Sequence, residues 1–341
     1  MKFLLYADNH YSKQSSILRS RGVKYSTRLE NQIASINWVE STATQHGCDA
    51  IICLGDFFDR PQLDAEELSA LRDIDWSPEN NRLFLVGNHE LGISVHDYNS
   101  TNLFSLMGGV VYDKPFCFAV GSTCVCMLPY ILEENRLSLK EYLVIPQGCT
   151  RVVVLSHNDI CGISYGGYES KTGFSLAEIS ACCDLYINGH LHNGQWISEK
   201  ILNLGNLTGQ NFSEDGNLYK HNIAILDTDT LSVELIENPH AIGFYKMGDG
   251  ILHESIPKNS VISVSCSDGN AKMIRELLDS CVNVLDYRIT INRDEETRMI
   301  EDKSCVDALD YLKEFATFVV RQLGKTKELE EELAAILGYE H

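Results

Sequence analysis

The sequence predicts a layered α/β fold, and three observations lead there. Five apolar, strand-like runs each end directly on Asp, Asn or His, helical spacing fills gaps between them, and no repeat or low-complexity tract breaks the alternation. Buried parallel strands read as continuous hydrophobic runs, and open α/β sheets place their sites beyond the carboxyl ends of strands.

Taken in order, Phe3 to Ala7 runs into Asp8, Asn9 and His10. Leu29, Ile33, Ile36 and Val39 then give residues 29–46 the spacing of an amphipathic helix. Ala50 to Leu54 leads into Gly55, Asp56, Phe57, Phe58 and Asp59, and Leu68 with Leu71 suggests a shorter helix over 64–73. Leu83 to Val86 reaches Gly87, Asn88, His89 and Glu90; Cys124 to Leu128 is a strand ending at Pro129. Val152 to Ser156 reaches His157, and Leu185 to Ile187 reaches Asn188, Gly189, His190, Leu191 and His192. Residues 201–236 read as strands returning to the sheet.

Asn238-Pro239 and Gly248-Asp249-Gly250 mark a boundary, dividing residues 1–240 from a smaller region, 241–341. That region opens as a small α+β cap: a strand at Val261–Val264, a helix around Met273–Leu278 and a strand from Val284 to Ile291. Two terminal helices follow. Cys305, Val306, Leu309, Leu312, Phe315, Val319 and Leu323 keep helical spacing, as do Leu329, Leu333, Ile336 and Leu337. Their apolar stripes suit either packing on their own domain or docking onto a partner.

Composition narrows the function. A chain of 341 residues suits roughly two domains. Hydrophobic content of 44% and charged content of 22% are those of a soluble globular protein. The opening apolar stretch is too short for a signal-peptide core, and no run approaches the roughly 20 apolar residues of a membrane span. The 12 cysteines are scattered without a C-x-x-C pair, which fits reduced thiols in a cytoplasm. Against 48 Asp and Glu stand only 28 Lys and Arg, a net charge of −20. That weighs against broad nucleic-acid affinity, which rests on Lys and Arg, so any attraction for phosphate has to be local.

The strand ends supply that local charge. Mixed carboxylate and imidazole donors suit Mn, Fe and Zn. Two divalent ions about 3.5–4 Å apart need an anion between them, and Asp56 is the natural bridge. Asp8 and His10 reach one ion; His190 and His192 each serve a different one; Asn88 and His157 complete the second. Two divalent ions bring four positive charges and the two aspartates return two, leaving a formal +2 that attracts a phosphoester. Such ions also lower the pKa of a water to about 7. His89 is the candidate general acid for the leaving group, with Asp59 placed to orient it.

Asp8-Asn9-His10, Gly55-Asp56-Phe57-Phe58-Asp59, Gly87-Asn88-His89-Glu90, His157 and Gly189-His190-Leu191-His192 together resemble the calcineurin-like metallophosphoesterase superfamily, over residues 1 to about 210. Within it, Tyr112-Asp113-Lys114-Pro115, Leu128 to Asn135 and Leu202 to Asn206 look most similar to SbcD-type DNA-repair nucleases, especially phage recombination endonuclease subunits. The resemblance implies a calcineurin-like sandwich and a nuclease using two divalent ions, Mn2+ first, with Mg2+, Fe2+ or Zn2+ as alternatives. It further implies a DNA substrate, an SbcC-type coiled-coil ATPase partner on the C-terminal region, a homodimer as a further arrangement, and a cytoplasmic setting, the host's if a phage encodes it. Two departures keep a phosphomonoesterase open as the alternative. Glu90 stands where these nucleases usually carry Asp, and Gly-Asn-His-Glu with Asp59-Arg60 is similar to protein serine/threonine phosphatases. Tyr11 and the paired Gly-His-x-His depart from the phosphatase pattern. Arg60 reads as a solvated or salt-bridged side chain ahead of a phosphate contact, and Tyr165-Gly166-Gly167-Tyr168 as a flexible loop ahead of a substrate-cleft lining. His46, His96, His221, His240, His253 and His341 read as surface or hydrogen-bonded histidines.

Overall fold

The computed structural model describes residues 1–17, 19, 22–92, 95–165, 168–248 and 256–292. Two six-stranded sheets share one core. Across the first lie Val233–Glu237, Asn222–Asp227, Lys2–Tyr6, Ala50–Cys53, Arg82–Leu85 and Val110–Tyr112; the last four run parallel and the returning pair antiparallel. Across the second lie Gln195–Ser198, Ile201–Asn203, Leu185–Asn188, Arg151–Ser156, Thr123–Leu128 and Phe116–Val120, with antiparallel strands only at its edges.

Alternate residues of a strand face opposite sides, and here both sides are apolar. Phe3, Leu5, Ile52, Leu54 and Leu85 join Val125, Met127, Val153, Leu155 and Ile187 between the sheets. Leu4, Tyr6, Ile51, Cys53 and Phe84 instead meet Leu29, Ile36 and Val39 of helix Thr27–His46 and Leu71 of helix Ala65–Arg72. On the far side Cys124, Cys126, Val154 and Tyr186 pack on Ile179 of helix Leu176–Cys182. The architecture is the layered α/β arrangement expected from the continuous apolar runs: helices, sheet, sheet, helices.

Local chemistry sets the helix ends. The Ser26 hydroxyl accepts from Leu29 N, and Gly47 takes the left-handed conformation (φ 62°) that ends the helix. Asp64 and Glu67 form a reciprocal capping box worth about 1 kcal/mol. Glu67 also accepts from Ser12, from Lys13 N and from Arg60, tying this helix to the segment that follows the first strand.

From Gly243 the chain builds a separate three-stranded parallel sheet, Gly243–Gly248, Ser260–Ser267 and Val284–Asn292, with Ile274 and Leu278 of helix Asp268–Ser280 packed on it. Its first strand was not anticipated from the sequence, because the glycines at its end read as a boundary. This C-terminal unit meets the main body where Ile242, Phe244 and Val261 pack with Ile17 and Phe212. The terminal helical stretches expected over 305–337, and Gly166-Gly167 of the glycine-bearing loop, lie outside the described residues. Every described cysteine is a free thiol. Among the described residues no helix is long and apolar enough to cross a membrane.

Candidate metal centre

Five parallel strands deliver their following residues to one place, where the carboxyl ends of both sheets meet. His157, after a strand of the second sheet, places Nδ1 2.6 Å from the Leu54 carbonyl of the first. In return His190 N donates to the Asp8 carboxylate at 2.9 Å. The backbone is strained here: Asp8 (φ 50°), His10 (45°), Asp56 (49°) and His190 (72°) are four of only six non-glycine residues with positive φ among those described. Such conformations cost on the order of 1–3 kcal/mol each and persist where the surroundings enforce them. Gly55 (φ 97°) is required twice over, because a Cβ there would lie 2.4 Å from His157 Nδ1. At Gly87 a Cβ would lie 2.1 Å from Asp56 Oδ1.

The expected ligands form two groups, and His10 also clusters with Asp59 and His89. Asp8, His10 and His192 each place one donor atom within 4.8 Å of the others, and Asp56, His157 and His190 do the same. Asn88 joins the second, its Oδ1 3.0 Å from His190 Nδ1 and 3.3 Å from His157 Nε2. Asp56 stands between the groups, with Oδ2 3.2 Å from His157 Nε2 and 3.7 Å from His10 Nε2.

Each imidazole commits one nitrogen to an acceptor behind it. His10 Nδ1 meets the Asp59 carboxylate at 3.1 Å, His192 Nδ1 meets Glu214 at 2.7 Å, His157 Nδ1 the Leu54 carbonyl, and His190 Nε2 the Asp159 carboxylate at 3.3 Å. A proton on each of those nitrogens leaves a lone pair on the other. His10 Nε2 and His192 Nε2 then face each other at 3.1 Å as two acceptors. In the second group Asn88 Oδ1, His190 Nδ1, His157 Nε2 and an Asp56 oxygen likewise converge without a donor. Acceptors gathered this closely repel unless a cation lies among them. Metal–nitrogen bonds of about 2.0–2.1 Å leave neighbouring ligand atoms roughly 3 Å apart, so the donor set fits two divalent ions.

Charge pairing also runs through the site. Burial alone would raise the Asp56 pKa, but His157 and His10 hold it well below the usual carboxylate range. Burial would lower His157, yet Asp56 pushes it up to about 9. His10 lies below its ordinary value because burial outweighs Asp59 and Asp56. His192 lies above its own: burial opposes this, and Glu214 with Asp8 reverses it. Glu90 is wholly buried and pushed up to about 7 by burial, with Asp56 adding to the effect. It accepts from Gly87 N and Phe58 N, clasping the two loops that carry Asn88 and Asp56.

All seven residues read from the sequence as ligands sit in these two groups. His89 lies beside them with a 44% exposed side chain. What holds it differs from expectation: the Asp59 backbone carbonyl lies 3.0 Å from His89 Nδ1, while the Asp59 carboxylate turns to His10 and stays 3.8 Å from His89. Four supports have no signature in the sequence: Asp159, Glu214, and the helix residues Arg28 and Gln32, which donate to the Asn9 and His10 carbonyls. Asp59, Asp159 and Glu214 also change the charge balance. With Asp8 and Asp56 they return five negative charges to four positive ones, so the loaded centre carries a formal −1 rather than +2. Of the nearby arginines, Arg28 is engaged by the Gly209 and Asn9 carbonyls and Arg60 by Glu67 and Ser12, while Arg136 stands beside Glu133 with its buried Nη2 lacking a hydrogen-bond partner.

The family model described as calcineurin-like phosphoesterase matches residues 1–194. No curated protein matches the sequence. Among solved structures, Yfce, a phosphoesterase from E. coli, is 12% identical with a TM-score of 0.29, the match covering 70% of this chain and all of that one (100%). A dimetal phosphatase from Danio rerio is also 12% identical, with a TM-score of 0.38, over 70% of this chain and 98% of that one.

Proposed function

The chain belongs to the calcineurin-like phosphoesterase family, a family of metal-dependent phosphoester hydrolases, and from that premise we propose that it is a two-metal phosphodiesterase that cleaves DNA. The observation that carries the choice of a diester is the charge of the centre. Five carboxylates surround it, and Arg28 and Arg60 are both engaged elsewhere. Neither guanidinium is free to share the charge of a phosphomonoester dianion, whereas a diester carries a single negative charge. Tyr130 supports the nucleic-acid reading. It comes from the segment that resembles SbcD-type nucleases, and its ring lies 5.7 Å from that of His190.

Asp8, His10, His192 and the shared Asp56 would hold one ion; Asp56, Asn88, His157 and His190 the other. Bound divalent ions supply a nucleophile at neutral pH and neutralise charge developing on the phosphoryl oxygens. The protein's own contribution is position and a proton. Asp56 Oδ1 accepts from His89 N at 2.9 Å, fixing His89 at the edge of the centre. With Nδ1 held by the Asp59 carbonyl, Nε2 is the atom that gives a proton to the departing alkoxide. With a net charge of −20, the chain gains little duplex affinity from its own surface. A basic partner supplies it on this reading: an SbcC-type coiled-coil ATPase bound by the C-terminal region.

Two measurements test the proposal. The Mn2+-loaded protein should hydrolyse bis-(p-nitrophenyl) phosphate in strong preference to the monoester, and it should cut DNA in the presence of its ATPase. Arg60→Ala should spare diester turnover and lower thermal stability, because it takes the cation from the buried Glu67 carboxylate. A strong monoester preference, abolished by Arg60→Ala, would instead establish the phosphatase reading.

A further inference from the structure

We propose that Glu214 is a positioning residue for His192, and that its loop ties the C-terminal three-stranded unit to the metal centre. The inference rests on the two-metal reading above. Glu214 lies beyond the 1–194 stretch that carries the family match, on a loop without regular structure, yet it is only 2% exposed. One carboxylate oxygen takes His192 Nδ1 at 2.7 Å. The other accepts from Asn206 Nδ2 at 2.7 Å and Gln210 N at 2.8 Å. A carboxylate so fully engaged has one orientation, and it transmits that orientation to the imidazole. The ring is thereby set with its Nε2 toward His10.

The same loop is fastened at both ends of its path. Toward the centre, Leu207 N donates to the Ala7 carbonyl, Asn206 N to the His192 carbonyl, and Gln210 Nε2 to the Asp8 carbonyl. Toward the C-terminal unit, Gly209 N donates to Ile242 O at 3.0 Å and Gly216 N to Phe244 O at 2.8 Å, and Asp215 bridges to Phe244. Phe212 is clamped between the Phe244 ring, at 5.1 Å, and the Arg288 guanidinium, 4.0 Å over its face. A shift of strand Gly243–Gly248 therefore reaches His192 through Gly216, Asp215 and the Glu214 carboxylate. A partner that docks on the C-terminal unit gains by this route a handle on one half of the centre.

The test is a Mn2+ titration of the full chain, following free Mn2+ by electron paramagnetic resonance. Wild-type protein, Glu214→Gln, Phe212→Ala and Asp159→Asn are compared. Two classes of site are expected in the wild type. Glu214→Gln should weaken one of them about 10- to 100-fold and leave the other near its wild-type affinity. Asp159→Asn, which loosens His190, should weaken the other class, a selectivity that general damage to the fold would not produce. Phe212→Ala touches no residue of the centre and should weaken the Glu214-sensitive class about fivefold, within the range of coupling carried by packed contacts. Equal loss from both classes in Glu214→Gln, or none, overturns the positioning role. A wild-type isotherm for Phe212→Ala overturns the link to the C-terminal unit. A wild-type protein that binds no Mn2+ overturns the two-metal reading itself, and this inference with it.

Discussion

The two halves of the centre differ in what stands behind their imidazoles. Behind His10 and His192 are carboxylates, Asp59 and Glu214, and Asp8 adds a third negative charge. Behind His157 is a backbone carbonyl, and the fourth donor of that half is the neutral amide of Asn88. Only His190 has a carboxylate, Asp159, at its back. A carboxylate behind an imidazole raises its basicity, while a carbonyl mainly fixes its direction. The first half is thus built to hold an ion by charge and the second by position, with Asp56 common to both. Tighter Mn2+ binding is expected in the first half.

The change with the largest expected effect removes what the halves share. Asp56→Ala should lose bound metal from both, measured by elemental analysis after gel filtration, and should lower kcat by about a thousandfold or more. Retention of two ions at wild-type affinity would show that Asp56 does not join them. His89→Ala tests a residue outside both halves. Metal content should stay at the wild-type level while kcat on DNA falls about 10²- to 10⁴-fold. The loss should be smaller with p-nitrophenolate, a leaving group that needs no proton. A parallel loss of metal would move His89 into the ligand set.

A third variant separates the halves. In Gly55→Ala the new methyl group would sit 2.4 Å from His157 Nδ1, on a residue whose φ of 97° already disfavours a side chain. His157 must tilt away from the Leu54 carbonyl, and the second half should lose about 10- to 100-fold in Mn2+ affinity. The first half, whose imidazoles lean on Asp59 and Glu214, should change little. Equal weakening of both would mean that Asp56 transmits the distortion and that the halves do not act separately.

Much of this arrangement was legible before any coordinates. Buried parallel strands announce themselves as unbroken apolar runs, and residues directly after such runs must emerge at one edge of the sheet. That logic brought Asp8, Asp56, Asn88, His157 and His190 together, although 182 residues separate Asp8 from His190. It failed one step further out. Whether Asp59 offers its carboxylate or its carbonyl to His89 depends on the turn between them, which side-chain type does not encode. Glu214 belongs to a loop with neither periodicity nor a motif, so nothing in its neighbourhood marks it as a partner of His192. Strand Gly243–Gly248 was missed for a related reason: the glycines that close it look the same as those of a linker.

Acidity offers the mildest way to distinguish the halves. Asp56 pushes the pKa of His157 from its ordinary 6.5 up to about 9. In chelator-treated protein at pH 7 the ring is therefore an imidazolium, paired with Asp56. An ion can use His157 Nε2 only after that proton leaves. Affinity of the second half for Mn2+ should rise about tenfold between pH 7 and 8 and level off above about 9. The sign for stability runs the other way. A raised folded-state pKa stabilises the chelated protein fully below about 6.5, and that contribution disappears as pH climbs through 9. The chelated protein should thus melt at falling temperature across the window in which Mn2+ binds ever more tightly. Burial takes His10 below its ordinary value, so in the first half only His192, held above its own by Glu214 and Asp8, has a proton to release. Isotherms at pH 7, 8 and 9 decide the matter, and an unchanged affinity for the weaker class would mean that Asp56 does not hold a proton on His157.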